Sequence, residues 1–406
     1  MADLSLLKQQ SMNAVLLFAR SRHDSDKDSD KDSKKICPQE NTTGPPLVPF
    51  VGNLSFHSFA TILTGASAVF CFLAIAIAIS RHAFNYTNRI QQRQVIRIIL
   101  LVPWVSLFCF LMVWQEEAGE YLVGSLDFGC AIALSAFLLL MCDYVLASPG
   151  GYQSLLGDDP GRPKEKTQGL AWFKRVWYMS LQFIPTSLIL WVVTCITLAS
   201  DTYCAASNSP HFAHIWITVI KGVVTVWAVL ADFRLYKQQK AVLKPHNMLL
   251  KFAAFKGIIG LNVIQTLIIN ILLGSSVIRP TQHLTYEDIK VGLPNLILGL
   301  EMPLFSILII FAFPVSPYQK RGDGSATPAA GPLVAVVEAL NITDLLSCFV
   351  RGPMRLVRDQ QWGIMRQQSM PLEGGGGKAH RGSGRRSHSR NGRRSHSRGG
   401  RRDPWV

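Results

Sequence analysis

FATILTGASAVFCFLAIAIAIS, at residues 59–80, is the stretch that decides the fold. It has no charged side chain and matches the roughly 20 residues that a helix needs to cross a ~30 Å hydrocarbon core. Similar uncharged runs recur between short polar loops as far as residue 313. Because a helix satisfies its own backbone hydrogen bonds, each run is interpreted as a membrane span.

The whole pattern predicts an all-α polytopic membrane protein with seven transmembrane helices. The spans cover residues 59–80, 95–114, 121–147, 176–200, 212–234, 252–273 and 289–313. Composition agrees, because 49% of the 406 residues are hydrophobic and only 17% are charged. A soluble chain of this length would spread more charge along its sequence.

Basic residues predict the orientation of the chain, because cytosolic loops are enriched in Lys and Arg. The loops after the first, third and fifth spans are basic, those after the second and fourth contain no Lys or Arg, and the sixth has only Arg279. This alternation predicts an N-terminus outside and a C-terminus in the cytosol. We expect a plasma membrane or an endomembrane of the vacuolar or secretory pathway.

The segments outside the spans divide the chain into regions of different composition. The regions are an extracytosolic disordered arm (1–58), the seven-helix domain (59–313), a cytosolic juxtamembrane segment (314–366) and a disordered Gly/Arg/Ser-rich tail (367–406). The arm carries glycosylation sequons at Asn41 and Asn53. Cys37 and Cys204 are the only cysteine pair placed on one exposed side, and no wider disulfide framework is expected.

The cytosolic end contains two further features. Residues 335–350 predict a short amphipathic helix, which either lies on the inner leaflet or packs against the bundle. Residues 378–402 hold ten basic and no acidic residues, which favours anionic lipid headgroups or a phosphorylation switch. Nucleic acid is an unlikely partner, because no aromatic residues alternate with these arginines.

Polar residues inside the spans are the candidates for function, since ionisable groups there cost a few kcal/mol each. The candidate solute contacts are Asp127, Lys221, Thr225, Asn262, Gln265, Asn270, Asn295 and Glu301. Lys221 lies about 16 Å along its helix from Asp232, so its partner must be on another helix or be a bound anion.

Structural alternatives stay open for every one of these residues. The amides and Thr225 can form hydrogen bonds between helices, and Lys221 and Glu301 can belong to buried ion pairs. Asp127, Asp143, Asp232 and Lys256 can simply reach the membrane interface. No catalytic motif, metal-ligand spacing or cofactor motif is present, so we expect neither an enzyme nor a bound metal or cofactor.

Three segments in order resemble a known family. They are Tyr86-Thr87 with Gln92-Arg93 and 96–103 (IRIILLVP), then 243–246 (LKPH) with Lys251-Phe252, and Glu301-Met302 with 311–313 and Pro317-Tyr318. Together they are similar to the organic solute transporter alpha subunit (Ost-alpha) family, in the form common in fungi. The resemblance covers roughly residues 55–320.

Two departures from the family pattern accompany this resemblance. The proline that follows Tyr86-Thr87 in relatives is missing here. In the third span, residues 126–131 (LDFGCA) keep the Asp of the family's stretch and lose its Arg and Glu. An altered activity is therefore expected if that stretch handles solute in relatives.

The resemblance implies seven spans with the N-terminus outside and facilitative movement of amphipathic organic solutes, meaning steroid-like or other organic anions and lipids. Animal members work with a small single-span beta subunit, so such a subunit or a homo-oligomer is an expected partner beside membrane lipids. A non-transporting scaffold or lipid-organising or trafficking protein is the alternative. A G-protein-coupled type of receptor is less favoured, because its span-end motifs are missing.

Overall fold

The computed structural model describes residues 37, 48–156, 163–204, 209–274, 278, 280–319 and 331–352. Its helices are α1 (Phe56–Phe84), α2 (Arg89–Ile99), α3 (Leu101–Trp114), α4 (Glu116–Leu146), α5 (Gly151–Leu156), α6 (Pro163–Leu181), α7 (Phe183–Ala199), α8 (Ala213–Gln238), α9 (Lys240–Leu243), α10 (Met248–Gly274), α11 (Leu293–Ala312), α12 (Pro332–Leu340) and α13 (Thr343–Arg351). A π-helical turn, Asp288–Gly292, leads into α11. No β-strand occurs in these ranges, where Val51 and Leu54 form an isolated bridge.

Among the residues that the structure describes, six segments are long and apolar enough to cross a membrane. They are Phe56–Phe84, Arg89–Trp114, Glu116–Leu146, Gly169–Ala199, Ala213–Gln238 and Asp288–Tyr318. The predicted sixth span corresponds to the 27-residue α10, while the bent pair α12–α13 meets the same criteria only when taken as one. The prediction of an all-α polytopic membrane protein is confirmed, and the direction of its termini stays a prediction.

Contacts between loops define one end of the bundle, which we call the disulfide end. Cys37 and Cys204 are joined by a disulfide, as the placement of this pair on one side predicted. The backbone N–H of Val48 donates to the carbonyl of Gln282 at 2.7 Å. The arm therefore meets the loops after the fourth and sixth spans at one end, and these two loops contain little or no Lys and Arg.

The basic loops meet at the opposite end. Thr87 donates to the carbonyl of Tyr318 at 3.1 Å, and the hydroxyls of Tyr144 and Tyr318 are 3.2 Å apart. Ser154 donates to the side chain of Gln239 at 2.7 Å. These contacts agree with an odd number of spans, because successive loops alternate between the two ends.

Helix α4 is the centre of the bundle, with 94% of its apolar segment buried inside the protein. Its glycines allow close approach of large rings. Trp191 lies directly over Gly124, where any Cβ would collide with the indole, and its Nε1 donates to the carbonyl of Tyr121 at 2.7 Å. Trp104 lies over Gly129 in the same way. Tight packing therefore holds α4 against α3 and α7.

The predicted amphipathic helix is two helices, α12 and α13, bent by 51°. The break lies at Asn341, whose side-chain oxygen accepts a hydrogen bond from the N–H of Thr343 at 3.0 Å. Ala335, Ala339 and Leu345 are buried against the bundle, which confirms the packing alternative.

The other face of this helix pair points away from the bundle. Leu333, Val337, Leu340 and Val350 are each at least 60% exposed there. An exposed row of aliphatic side chains beside membrane helices suits contact with a leaflet. Contact of this exposed face with the inner leaflet stays a prediction.

Candidate functional site

An ion pair joins the two charged residues that the spans hold deepest on α4 and α8. The Nζ of Lys221 lies 2.6 Å from Oδ2 of Asp127. The side chains are 39% and 24% exposed, respectively. Asp127 lies about 16 Å along α4 from its first residue, and the alternative that it reaches the membrane interface stays a prediction. Lys221 has its partner on another helix, as its distance from Asp232 predicted.

A second group of charges lies nearer the opposite end, between α8 and α10. Asp232 is fully buried, and its Oδ1 accepts a hydrogen bond from Ser180 at 2.8 Å. Its Oδ2 and the Nζ of Lys256 are buried without hydrogen-bond partners. The two groups attract each other across the helices without forming a direct ion pair. The alternative that Asp232 and Lys256 reach the membrane interface stays a prediction.

Both groups lie along a gap that we call the α8–α10 cleft. Helix α8 packs on α4, α6 and α7, whereas α10 packs on α11 and α4. Within the described residues, α8 and α10 scarcely contact each other, and Gly222 and Gly260 face open space. Helix α4 forms the floor of this cleft.

The walls of the cleft change character along its length. Lys221, Lys256 and Asp127 all act electrostatically on the buried Cys130 of α4, so the charges surround one point of the floor. Farther toward the opposite end lies a small recess, lined by Phe137, Phe233, Tyr236, Leu249 and Phe252. The cleft therefore joins a charged part to an aromatic part.

Glu301 belongs to a different interface from Lys221. The amide of Gln265 on α10 donates to Oε1 of Glu301 on α11. Oε2 of Glu301 and Oε1 of Gln265 are buried without hydrogen-bond partners. The structure thus brings two of the sequence candidates together as a polar pair, on the α11 side of α10.

The remaining candidates are less involved in these contacts. Asn295 is buried and donates to the carbonyl of Val291 on the preceding turn at 2.8 Å. Thr225 is half-buried one turn from Lys221. The side chains of Asn262 and Asn270 and the sequon at Asn41 lie outside the described residues, and Asn53 is exposed just before α1.

Sequence reasoning missed the role of Arg97, which appeared only as part of a family segment. Its side chain is 1% exposed and forms a bidentate pair with Asp344, with distances of 2.6 and 2.9 Å. It also donates to the carbonyl of Asn341 at 2.6 Å. Arg89, two turns earlier on α2, pairs with Glu338. The available signal in the sequence was a row of arginines spaced by four residues, which place their side chains on one face of a helix. An amphipathic segment with acidic residues farther along the chain could have been recognised as their partner.

Comparisons with known proteins support one family. The chain is 24% identical over 280 residues to a Transmembrane protein 184 homolog of Dictyostelium discoideum, a match that covers 64% of the chain and 54% of the relative. It is 22% identical over 292 residues to Protein LAZ1 homolog 1 of Arabidopsis thaliana, covering 64% and 58%. The chain therefore spans little more than half the length of these relatives, and no solved structure matches it.

The model of the family described as Organic solute transporter Ostalpha matches residues 60–318, which include both the α8–α10 cleft and the Gln265–Glu301 pair. More than half of the chain lies within this match. The chain therefore belongs to the organic solute transporter Ostalpha family.

Proposed function

We propose that this protein facilitates the movement of amphipathic organic solutes, such as steroid-like or other organic anions and lipids, across the membrane. The observation that carries the proposal is the α8–α10 cleft, which places charged groups and an aromatic recess along one open groove. Family membership supports a transporter-like role at the general level. The class of solute is taken from the family resemblance, and the charged and aromatic parts of the cleft are compatible with it.

The state of the charges supports a solute-contacting role over a purely structural one. A structural ion pair at this depth is expected to be sealed, because each ion costs several kcal/mol to desolvate. The Lys221 side chain is instead 39% exposed on the surface of the bundle, where a solute or a lipid headgroup can contact it, and the Nζ of Lys256 has no hydrogen-bond partner. An unsatisfied buried polar group costs about 1–3 kcal/mol, which an anionic headgroup would recover.

The spacing of residues along α8 is compatible with contacts to the two ends of an elongated molecule. Lys221 and Phe233 lie on the same helix about 18 Å apart along its axis. A headgroup at Lys221 would leave the apolar body of the solute over Phe233 and Phe252, which line the recess. In this arrangement Asp127 competes with the solute anion for Lys221.

The test is uptake of a radiolabelled steroid sulfate into proteoliposomes that contain the purified full chain. We expect Lys221→Met to lower uptake at least tenfold. Lys237→Met, on the exposed end of the same helix, is the matched control and should retain it. Uptake by the Lys221→Met protein equal to that of wild type, with the same thermal stability, would reject this site.

Asp127→Asn separates the transport role from a structural one. Removal of the competing carboxylate leaves Lys221 free for the solute, so the apparent KM for the anion should fall. A purely structural pair predicts loss of stability and of uptake together, with no improvement in KM.

A second candidate, a lipid-organising or trafficking protein, is favoured by the exposed aliphatic face of α12 and α13. Deletion of residues 376–406 distinguishes the two proposals. A transporter should keep its flux without this basic tail, whereas a scaffold that works through the tail should fail. An accessory single-span subunit or a second copy of the chain is proposed as a partner in either case.

A further inference from the structure

Three helix starts meet at the disulfide end and bring together three potential ligands. His57 lies in the first turn of α1, Glu116 is the first residue of α4, and Asp288 opens the turn before α11. One nitrogen or oxygen atom from each lies within 4.8 Å of the others. The Nδ1 of His57 and Oε1 of Glu116 are 3.3 Å apart.

Two carboxylate oxygens of this cluster are buried without a hydrogen bond. Asp288 is only 3% exposed. Its Oδ2 accepts a hydrogen bond from the N–H of Thr285 at 2.9 Å, while its Oδ1 is buried and accepts none. Oε1 of Glu116 is likewise buried without a hydrogen bond.

The carboxylates of Glu116 and Asp288 are in direct contact, so their negative charges repel each other. Like charges so close require a proton or a cation between them. The basic residue on the same turn, Lys290, is placed to pair with Glu120 at 2.8 Å, and His57 is charged only when protonated. A bound cation would satisfy both unpartnered oxygens at once.

We propose that His57, Glu116 and Asp288 form a binding site for a divalent transition metal of the Zn²⁺ type, with water completing the coordination. Imidazole nitrogen with carboxylate oxygen is a ligand set that Zn²⁺ accepts at about 2.0–2.2 Å. Tetrahedral bonds of that length place neighbouring ligand atoms about 3.3–3.6 Å apart. The His57–Glu116 distance already has this value, and Asp288 would need to close by no more than about 1.5 Å.

The surroundings of the cluster fit a site that exchanges its ion. The His57 side chain is 40% exposed, which provides a route of entry. Gly292 leaves the space that the Glu116 carboxylate occupies, because a Cβ there would collide with Oε1. Spacing along the sequence did not reveal these ligands, since each comes from a different and distant segment.

Such an ion would hold the first turns of α1, α4 and α11 together at the disulfide end. This role is independent of the proposed transport, because it concerns only the stability and relative position of these helix starts. Metal binding stabilises the folded state by mass action, so the thermal midpoint should rise with the concentration of free Zn²⁺.

The experiment titrates ZnCl₂ into the purified, chelator-stripped full chain in detergent, with calorimetry and thermal unfolding as readouts. Glu116→Gln and Asp288→Asn remove one ligand each at constant size. Glu117→Gln and His211→Ala are matched controls, because both residues are exposed at the same end and lie outside the cluster. Histidines of the tail bind equally in every variant, so only the difference between variants is used.

We expect wild type and both controls to bind one Zn²⁺ ion more than the ligand variants do. The affinity for this additional ion should be low-micromolar or tighter. The thermal midpoints of wild type and both controls should rise with Zn²⁺, and affinity should fall at least 30-fold in Glu116→Gln and Asp288→Asn. If these two variants do not fold, His57→Ala supplies the same comparison from a partly exposed position. Identical titrations of wild type and ligand variants, or a response to Ca²⁺ and Mg²⁺ but not Zn²⁺, would overturn the proposal.

Discussion

Replacement of Arg97 by methionine should release the α12–α13 pair from the bundle. Methionine keeps most of the apolar stem of the side chain and removes the guanidinium. The loss leaves the carbonyl groups at the end of α12 without their donor, and leaves Asp344 with Arg93, at 3.2 Å, as its remaining ion-pair partner. The Arg97 side chain is 1% exposed, so the substitution breaks a buried ion pair and not a surface one.

The expected magnitude follows from this burial. Removal of one partner of a buried ion pair costs about 3–5 kcal/mol. Asp344 is 25% exposed and can be partly rehydrated, so the lower value, about 3 kcal/mol, is appropriate. Each 1.4 kcal/mol is a factor of ten, so the opening equilibrium of the helix pair should rise roughly 100-fold.

Hydrogen–deuterium exchange of amides 332–351 measures this opening directly. The matched control is Arg89→Met on the same helix, because the Arg89 side chain is 53% exposed in its pair with Glu338. Exposed pairs contribute about 0–1 kcal/mol, so its exchange should accelerate no more than about fivefold. Equal acceleration in the two variants, or unchanged exchange in Arg97→Met, would refute the assignment of Arg97 as the residue that holds the pair.

Three other predictions concern packing, the disulfide and orientation. Gly124→Ala should lower the thermal midpoint of the purified protein, since overpacking costs about 1–3 kcal/mol. Gly222 faces open space, so Gly222→Ala should leave the midpoint equal or higher. Equal effects of the two substitutions would contradict the packing described for α4. Cys204→Ser should abolish the difference in electrophoretic mobility between reduced and non-reduced protein and lower stability by about 2–5 kcal/mol. The same result is expected for Cys37→Ser. A mobility difference that persists in both variants would mean that another disulfide is present. Asn41→Gln should remove a glycan if the N-terminus is outside, whereas an unglycosylated wild-type chain from secretory membranes would argue for the reverse orientation.

The membrane spans could be predicted from sequence because an uncharged run of sufficient length is a strong and local signal. The start of the second span was predicted less well. The span was predicted to begin at residue 95, but the helix begins at Arg89. Gln92 and Gln94 are almost fully buried on this helix. Gln92 is accommodated there because its side-chain amide donates to the backbone carbonyl of His82 at 3.2 Å. Polar side chains that find protein partners do not end a span, and a count of charges cannot detect such partners.

The candidate site was predicted as a set of residues but not as an arrangement. Lys221 was expected to need a partner outside its own helix, and the structure supplies Asp127. The order of spans along the chain does not reveal that the third and fifth are neighbours, so this pair could not be assigned from sequence. The same limit hid the meeting of His57, Glu116 and Asp288, because three short signals from distant segments become one cluster only after the bundle is assembled.

The burial of α4 has a mechanical consequence. A rod enclosed on nearly every side, with indole rings seated on its glycines, cannot rotate or slide without dislodging several neighbours at once. Helix α8 differs, since only 17% of its apolar segment is buried and it borders the gap toward α10. In any cycle of opening and closing, we therefore expect α4 to stay fixed and α8 to move relative to it. The distance between spin labels on α8 and α10 should change, whereas the distance between labels on α4 and α3 should stay constant.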